Sequence, residues 1–225
     1  MPDRIRLKDK VAIVTGASCG VGREAARILT CRGARLVAVD DDMDVLRQLA
    51  EVLPADARWI AVSANVADEL AVADYVARAR VEFGRIDILF NAAGIEPADV
   101  PIHETRRDDF QRIFVTNATS VFLGMKHVIP VMAEGGGGAI VNRCSVAAYR
   151  PGPQQIAHAA ASAAVMGMTR TAALEWGEAG IRVNCVNPGQ AASDEAVASL
   201  AAFLISSEAS FITGAVYPLD GGVTS

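Results

Sequence analysis

The chain is short of cysteine, of cationic excess and of long apolar runs. Only four cysteines (Cys19, Cys31, Cys144, Cys185) occur in 225 residues, far apart and at no metal-ligand spacing. They are too few for a disulfide framework and fit a reducing cytoplasm. Lysine and arginine number 21 against 26 aspartates and glutamates, a formal net charge of −5. With no cationic excess to exchange for counterions, nonspecific attraction to nucleic acid or an anionic membrane is disfavoured. No apolar run approaches the roughly 18 residues of a membrane span. The opening MPDRIRLKDK shows no apolar signal-peptide core. No Pro/Ser-rich linker and no repeat of solenoid period divides the sequence. With 52% hydrophobic and 21% charged residues, intrinsic disorder is excluded. The expectation is one cytoplasmic globular domain over 1–225.

What is present is alternation. Apolar, β-rich runs at Val11–Thr15, Arg35–Val39, Arg58–Val62, Ile86–Phe90, Ala139–Asn142, Ile181–Val186 and Ala215–Pro218 read as strands. Helical stretches fall between them near 21–32, 43–53, 68–83, 106–134, 155–178 and 194–206. Near-continuous apolar strands separated by helices predict an α/β fold, a doubly wound parallel sheet with helices on both faces. The four glycines at 135–138 read as a helix cap and turn into the next strand.

The first strand runs straight into Thr15-Gly16-Ala17-Ser18-Cys19-Gly20-Val21-Gly22 and then a helical pattern. Glycines here permit a tight turn, close approach of the backbone to a pyrophosphate, and close helix–strand packing. The helix N-terminus then offers unpaired N–H groups to phosphate. Asp40 ends the next strand, 24 positions after Gly16, where a carboxylate suits the two adenosine ribose hydroxyls. Asp41 and Asp42 follow it and would repel a 2′-phosphate, and Cys19 supplies no cation to hold one. NAD(H) is favoured over NADP(H).

These motifs and several others make the chain similar to the short-chain dehydrogenase/reductase family along nearly its whole length. TGASCGVG resembles the family's TGxxxGxG, and Asn91-Ala92-Ala93-Gly94 its NNAG. Asn117 falls at the catalytic Asn, and Ile140–Ser145 resembles the strand that delivers the catalytic Ser. Val183–Gly189 resembles the N-x-V-x-PG segment, and Leu219–Gly222 the VDGG. The resemblance implies a Rossmann-like sheet, nucleotide bound at the strand carboxyl ends, and dimers or tetramers packed through two long helices. The implied cofactor residues are Gly16, Ser18, Cys19, Gly20, Val21, Gly22, Asp40, Asn65, Val66, Asn91, Ala92, Gly94, Pro188, Gly189 and Ser193. Asn65 stands where the family has Asp and keeps an amide oxygen for the adenine amino group. Ala92 removes a side chain that braces the turn, and Ser193 replaces a Thr that bonds the nicotinamide carboxamide.

The catalytic half departs further. The family uses a Tyr as general acid/base and a Lys four residues on, which lowers the Tyr pKa and bonds the nicotinamide ribose. Counting 13 residues from Ser145 gives His158, and four more give Ser162, so the implied tetrad reads Asn117, Ser145, His158, Ser162. Tyr149 lies too close to Ser145 to substitute. Lys126 is the last lysine, so no ammonium is expected near the site. Imidazole suits acid/base work at neutral pH but reaches roughly 2 Å less far than a tyrosine oxygen, and about 1 Å of misplacement can cost around a hundredfold. No carboxylate is evident to orient His158. Cys144, adjacent to Ser145, is expected to face away from the site as a small buried hydrophobe.

After Pro188-Gly189 the chain passes through Gln190–Ser193 directly into a helix, where the family usually carries a substrate lid; roughly 25 residues are missing against enzymes of about 250. Missing tyrosine, lysine and lid together favour a catalytically degenerate family member that binds NAD(H) weakly or structurally. Such a protein would be a homo-oligomer, or a noncatalytic subunit paired with an active homologue, with no nucleic acid, membrane or metal partner. The alternative is an active NAD-dependent enzyme interconverting alcohol and ketone through His158. A third reading is a non-redox isomerase or lyase on the same scaffold.

Overall fold

A strand buried on both faces needs apolar side chains at consecutive positions, not alternate ones, and all five residues of β1 (Val11–Thr15) are buried. The computed structural model describes residues 7–96 and 99–224; residues 1–6 of the opening segment lie outside them. The remaining strands are β2 (Arg35–Asp40), β3 (Trp59–Ser63), β4 (Ile88–Asn91), β5 (Gly138–Arg143), β6 (Ile181–Pro188) and β7 (Val216–Leu219). Each lies within two residues of its predicted ends. They form one parallel sheet in the order β3-β2-β1-β4-β5-β6-β7. The expected doubly wound α/β architecture is therefore found.

The helices are α1 (Gly20–Cys31), α2 (Met43–Arg47), α3 (Glu69–Phe83), α4 (Arg107–Phe114), α5 (Ser120–Glu134), α6 (Ile156–Trp176) and α7 (Asp194–Ile205). On one face, α1 and α7 pack over Ala12, Val14 and Phe90; on the other, α3, α5 and α6 pack over Ile13, Leu89 and Ile140. Two predicted helices differ in detail. The 43–53 segment is α2 followed by a 3₁₀ turn over Gln48–Glu51. The 106–134 segment is interrupted by a π-helical turn, Val115–Thr119, between α4 and α5. Such a turn widens the backbone hydrogen-bonding pattern locally and redirects side chains, and is frequent at functional sites. Gly135 ends α5 and Gly138 opens β5, so the glycine run turns as expected.

Strand order reverses between β1, whose chain continues outward to β2, and β4 on its other side. In such sheets the crevice at the carboxyl ends of the strands flanking this reversal is the ligand site. At the opposite ends, buried Asp87 holds β1 and β4 in register, accepting hydrogen bonds from Val11 N (3.0 Å), Lys10 Nζ (2.9 Å) and Arg85 Nε (2.8 Å). Burial opposes ionisation of that carboxyl, yet these donors hold it below the ordinary range.

Candidate active site

The glycine loop joins β1 to α1 at the carboxyl edge of the sheet. A Cβ on Gly22 would stand 1.9 Å from the Gly16 carbonyl oxygen, so only glycine allows α1 to lie this close to the loop. Gly16 has φ +66, a left-handed conformation that glycine adopts without strain. Cys19 caps α1 with no side-chain hydrogen bond, and no acidic residue occupies the first turn of that helix. The positive end of the α1 dipole is thus not neutralised from within its own helix.

The expected cofactor residues gather along this edge. Ser18 ties the loop to the end of β2, donating from N (3.0 Å) and Oγ (2.6 Å) to Asp40 Oδ2. Asp40 Oδ1 accepts from Asp41 N (2.9 Å), and with Oδ2 taken up by the two Ser18 donors it is Oδ1 that keeps a lone pair. Hydrogen bonding to the Asp40 carboxylate raises the Asp41 carboxyl above its ordinary value, with burial and the nearby negative charges of Asp40 and Asp42 adding to the shift. Asn65 lies after β3 with Val66, its Oδ1 accepting from Ala67 N (2.9 Å) and retaining one lone pair. Ala92 and Gly94 follow β4, where the brace missing from Ala92 is replaced by Thr15 Oγ1, which accepts from the N–H groups of Ala92 and Ala93 (3.2 and 3.4 Å). The Asn91 side chain turns inward instead, donating to Asn142 Oδ1 (2.9 Å) inside the core, so only its backbone is left for the cofactor edge. Pro188 ends β6 and Gly189 follows it, N-bonded to Leu219 O. The Ser193 hydroxyl, expected to meet a carboxamide, caps α7 by accepting from Ala196 N (3.2 Å), although its proton stays available to donate.

The short passage from Gly189 to α7 has an electrostatic result. Both oxygens of Asp194 lie 3.7 Å from where a Cβ of Gly20 would be, beside the first residue of α1. A carboxylate there competes with a bound pyrophosphate for the same helix end. Asp194→Asn is therefore expected to tighten binding of a nicotinamide dinucleotide about threefold to tenfold, since like charges roughly 4–5 Å apart in water repel by about 1 kcal/mol. Fluorescence titration of NADH checks this; unchanged affinity would place Asp194 outside the phosphate field.

Three of the four expected catalytic residues share one cavity of about 20 Å³, lined by Asn117, Ser162, His158, Arg143, Glu96 and Cys144 together with backbone and apolar groups. That volume holds about one water. Asn117, carried on the π turn, is fixed by Ile95, accepting from its N (2.8 Å) and donating to its O (2.9 Å). Ser162 is buried on α6, one turn past His158. Ser145 borders this group without lining it, its Oγ accepting from Ala147 N (3.3 Å) and its proton free to donate. Tyr149, 46% exposed, lines no part of it.

His158 has two charged neighbours, one of them a carboxylate that was not expected. No lysine is near, but a guanidinium is: Arg143, the last residue of β5, lines the cavity with Nη2 3.8 Å from Glu96 Oε1. A carboxylate also faces the histidine, with Glu96 Oε2 3.9 Å from His158 Nε2. Cys144 is buried as expected, its Sγ 3.0 Å from that of Cys185 on β6, and the residue also borders the cavity. β5 ends at Arg143, so strict strand alternation does not extend to residues 144 and 145. Burial pushes the Cys185 thiol well above its ordinary pKa. Burial likewise pushes the His158 imidazole below its ordinary value; Glu96 opposes that shift and Arg143 adds to it.

A model of the short chain dehydrogenase family matches residues 10–201, and the chain belongs to that family. It is 34% identical to levodione reductase of Leifsonia aquatica over 254 aligned positions, covering 96% of this chain and 95% of the relative. It is 36% identical to cis-4-hydroxycyclohexanecarboxylate dehydrogenase of Sinomonas cyclohexanicum, covering 96% and 97%. The crystal structure of levodione reductase superposes with a TM-score of 0.94 at 32% identity, covering 97% of this chain and 99% of that one. An alignment of 254 positions exceeds the 225 residues present here, so that relative carries segments this chain lacks. Among the described residues, no helix is long and apolar enough to cross a membrane.

Proposed function

We propose that the protein is an NAD(H)-dependent oxidoreductase interconverting a secondary alcohol and a ketone, with His158 as the acid/base. The observation that carries this is the placement of His158 in one cavity with Asn117 and Ser162, flanked by a carboxylate and a guanidinium, at the nucleotide-binding edge of the sheet. An inert filler of the old tyrosine space has no need of two ionic neighbours. Several relatives named as dehydrogenases and reductases, levodione reductase and meso-2,3-butanediol dehydrogenase among them, support this reading over the catalytically silent one.

The residues present fit a dinucleotide. Gly22 and Gly16 shape a cradle that a Cβ would fill, Asp40 Oδ1 keeps a lone pair for a ribose hydroxyl, and the buried Asn187 amide beside Pro188 has no partner on either atom among the described residues. The Asp40–Asp42 cluster favours NAD(H) over its 2′-phosphorylated form. When bound, the nicotinamide supplies hydride chemistry. The protein's own part is to hold and move a proton. His158, kept neutral by its burial, takes the hydroxyl proton of the alcohol, directly or through one water, and returns it in reduction. Ser145 donates to the substrate oxygen, and Asn117 fixes the loop after β4 against the π turn.

A second reading has one specific observation in its favour. A cavity of about 20 Å³ is too small for an alcohol beside a nicotinamide, as expected of a noncatalytic subunit. Incubating the pure protein with NAD⁺ and a panel of cyclic alcohols and vicinal diols separates the two. NADH formation, faster with NAD⁺ than with NADP⁺, is the expected result. Tight NADH binding with no conversion of any alcohol would move the assignment to the second reading. We also infer assembly of copies through α5 and α6, whose Phe122 and Leu174 are exposed; the solution mass of the same preparation checks it, a monomer ruling it out.

A further inference from the structure

His158 is the only titratable residue of α6 before Arg170, twelve positions further on, so whatever sets its protonation comes from other elements. Three groups face it. Glu96 approaches from the loop after β4, Arg143 from the end of β5, and the buried Cys144 thiol lies next to Arg143. Asn117 on the π turn and Ser162 on α6 complete the polar lining without charge. Arg143 is thus the only cation lining the cavity among the described residues.

Arginine at the end of an otherwise apolar strand is costly to bury unless its charge is used. Arg143 is 29% exposed, and its buried Nε has no hydrogen-bond partner among the described residues. Its separation from Glu96, 3.8 Å, is too long for a hydrogen bond, and so is the 3.9 Å between Glu96 and His158. The carboxylate stands between two nitrogen partners without being committed to either. Gly94 leaves room for this: a Cβ there would meet Asn117 Oδ1 at 3.3 Å and Arg143 Nη1 at 3.7 Å. Among the described residues the guanidinium is held only by this loose ion pair with Glu96 and by no side-chain hydrogen bond.

We propose that Arg143 is a positioning residue of the active site, a fixed positive charge reaching in from β5 beside His158, where it works with burial to keep the ring ready to accept a proton. Glu96 is its counterweight. The imidazolium formed when His158 takes a proton is destabilised by Arg143 and stabilised by Glu96, so the ring can both load and unload near neutral pH. The most exposed charged member of the group is Glu96, at 72%, which gives the proton an outlet to solvent. The assignment rests on the proposed role of His158, but its test does not require turnover.

The experiment is an NMR titration of the full chain labelled at its three histidines, His103, His127 and His158, with His158→Gln assigning the signal. Arg143→Met is expected to raise the His158 midpoint by about half a pH unit or more, because removing a cation favours the imidazolium. Arg143→Lys keeps the charge and is expected to restore most of the difference. Glu96→Gln, at an exposed position that folding does not depend on, is expected to move the midpoint the opposite way. Should Arg143→Met fail to fold, Arg143→Lys and Glu96→Gln still decide the matter. A His158 midpoint unmoved by Glu96→Gln, or by a folded Arg143→Met, overturns the proposal. A shift in the titration without any turnover would leave the charge assignment standing and remove the oxidoreductase reading alone.

Discussion

Replacing His158 with alanine is expected to lower turnover by a factor of about 100 to 10,000, the range a positioned acid/base contributes. NADH affinity should change little, because His158 lines the cavity with Asn117 and Ser162 and not the glycine loop. Stability should hold as well, since alanine is the strongest helix former and the position lies near the start of α6. The wild-type rate should fall at low pH as the imidazole is protonated. Burial places that fall below the pH at which an ordinary histidine titrates. In the alanine variant this limb should vanish, and added imidazole should recover part of the rate. Turnover equal to wild type would remove His158 from the reaction.

The second large effect lies at the other end of the site. Gly22→Ala would set a methyl carbon 1.9 Å from the Gly16 carbonyl oxygen and 2.6 Å from its carbon. Both are backbone atoms, so no side chain can rotate away, and α1 must move off the loop as a body. NADH binding is expected to weaken at least a hundredfold, about 2.7 kcal/mol, as the phosphate cradle opens. Overpacking should cost a further 1–3 kcal/mol or so of stability, seen as a lower melting temperature. Titration of NADH fluorescence and a thermal melt measure the two separately. Undiminished NADH binding would mean that the cradle does not hold phosphate.

The strands and the glycine loop were legible because their physics is local. A strand covered on both faces must be apolar throughout, and a loop that touches a helix must lack Cβ atoms; both leave marks at fixed positions. The lower half of α4–α5 was less legible, since nothing in the Val115–Thr119 composition distinguishes a π turn from ordinary helix. Arg143 did carry a signal, a charged residue directly following the buried run Ala139–Asn142, but one that a search for the family's lysine does not register. Glu96 carried none. It belongs to an irregular segment, and only the folded chain brings it opposite α6. Asn91 shows the reverse case: its place in a family motif marks it for the cofactor, while the fold uses its side chain to pair with Asn142 across β4 and β5.

The joint between β6 and α7 has a practical side. Five residues, Gly189–Ser193, connect two rigid elements there at the mouth of the site, and three of them, Gln190, Ala191 and Ser193, are exposed. Chain added at such a point is cheap, because each doubling of a flexible loop adds only about 0.6 kcal/mol of closure entropy. The position is therefore a natural grafting port. Covers of different size and chemistry can be installed there over one unchanged sheet edge, turning a bare fold into a chassis for choosing ligands.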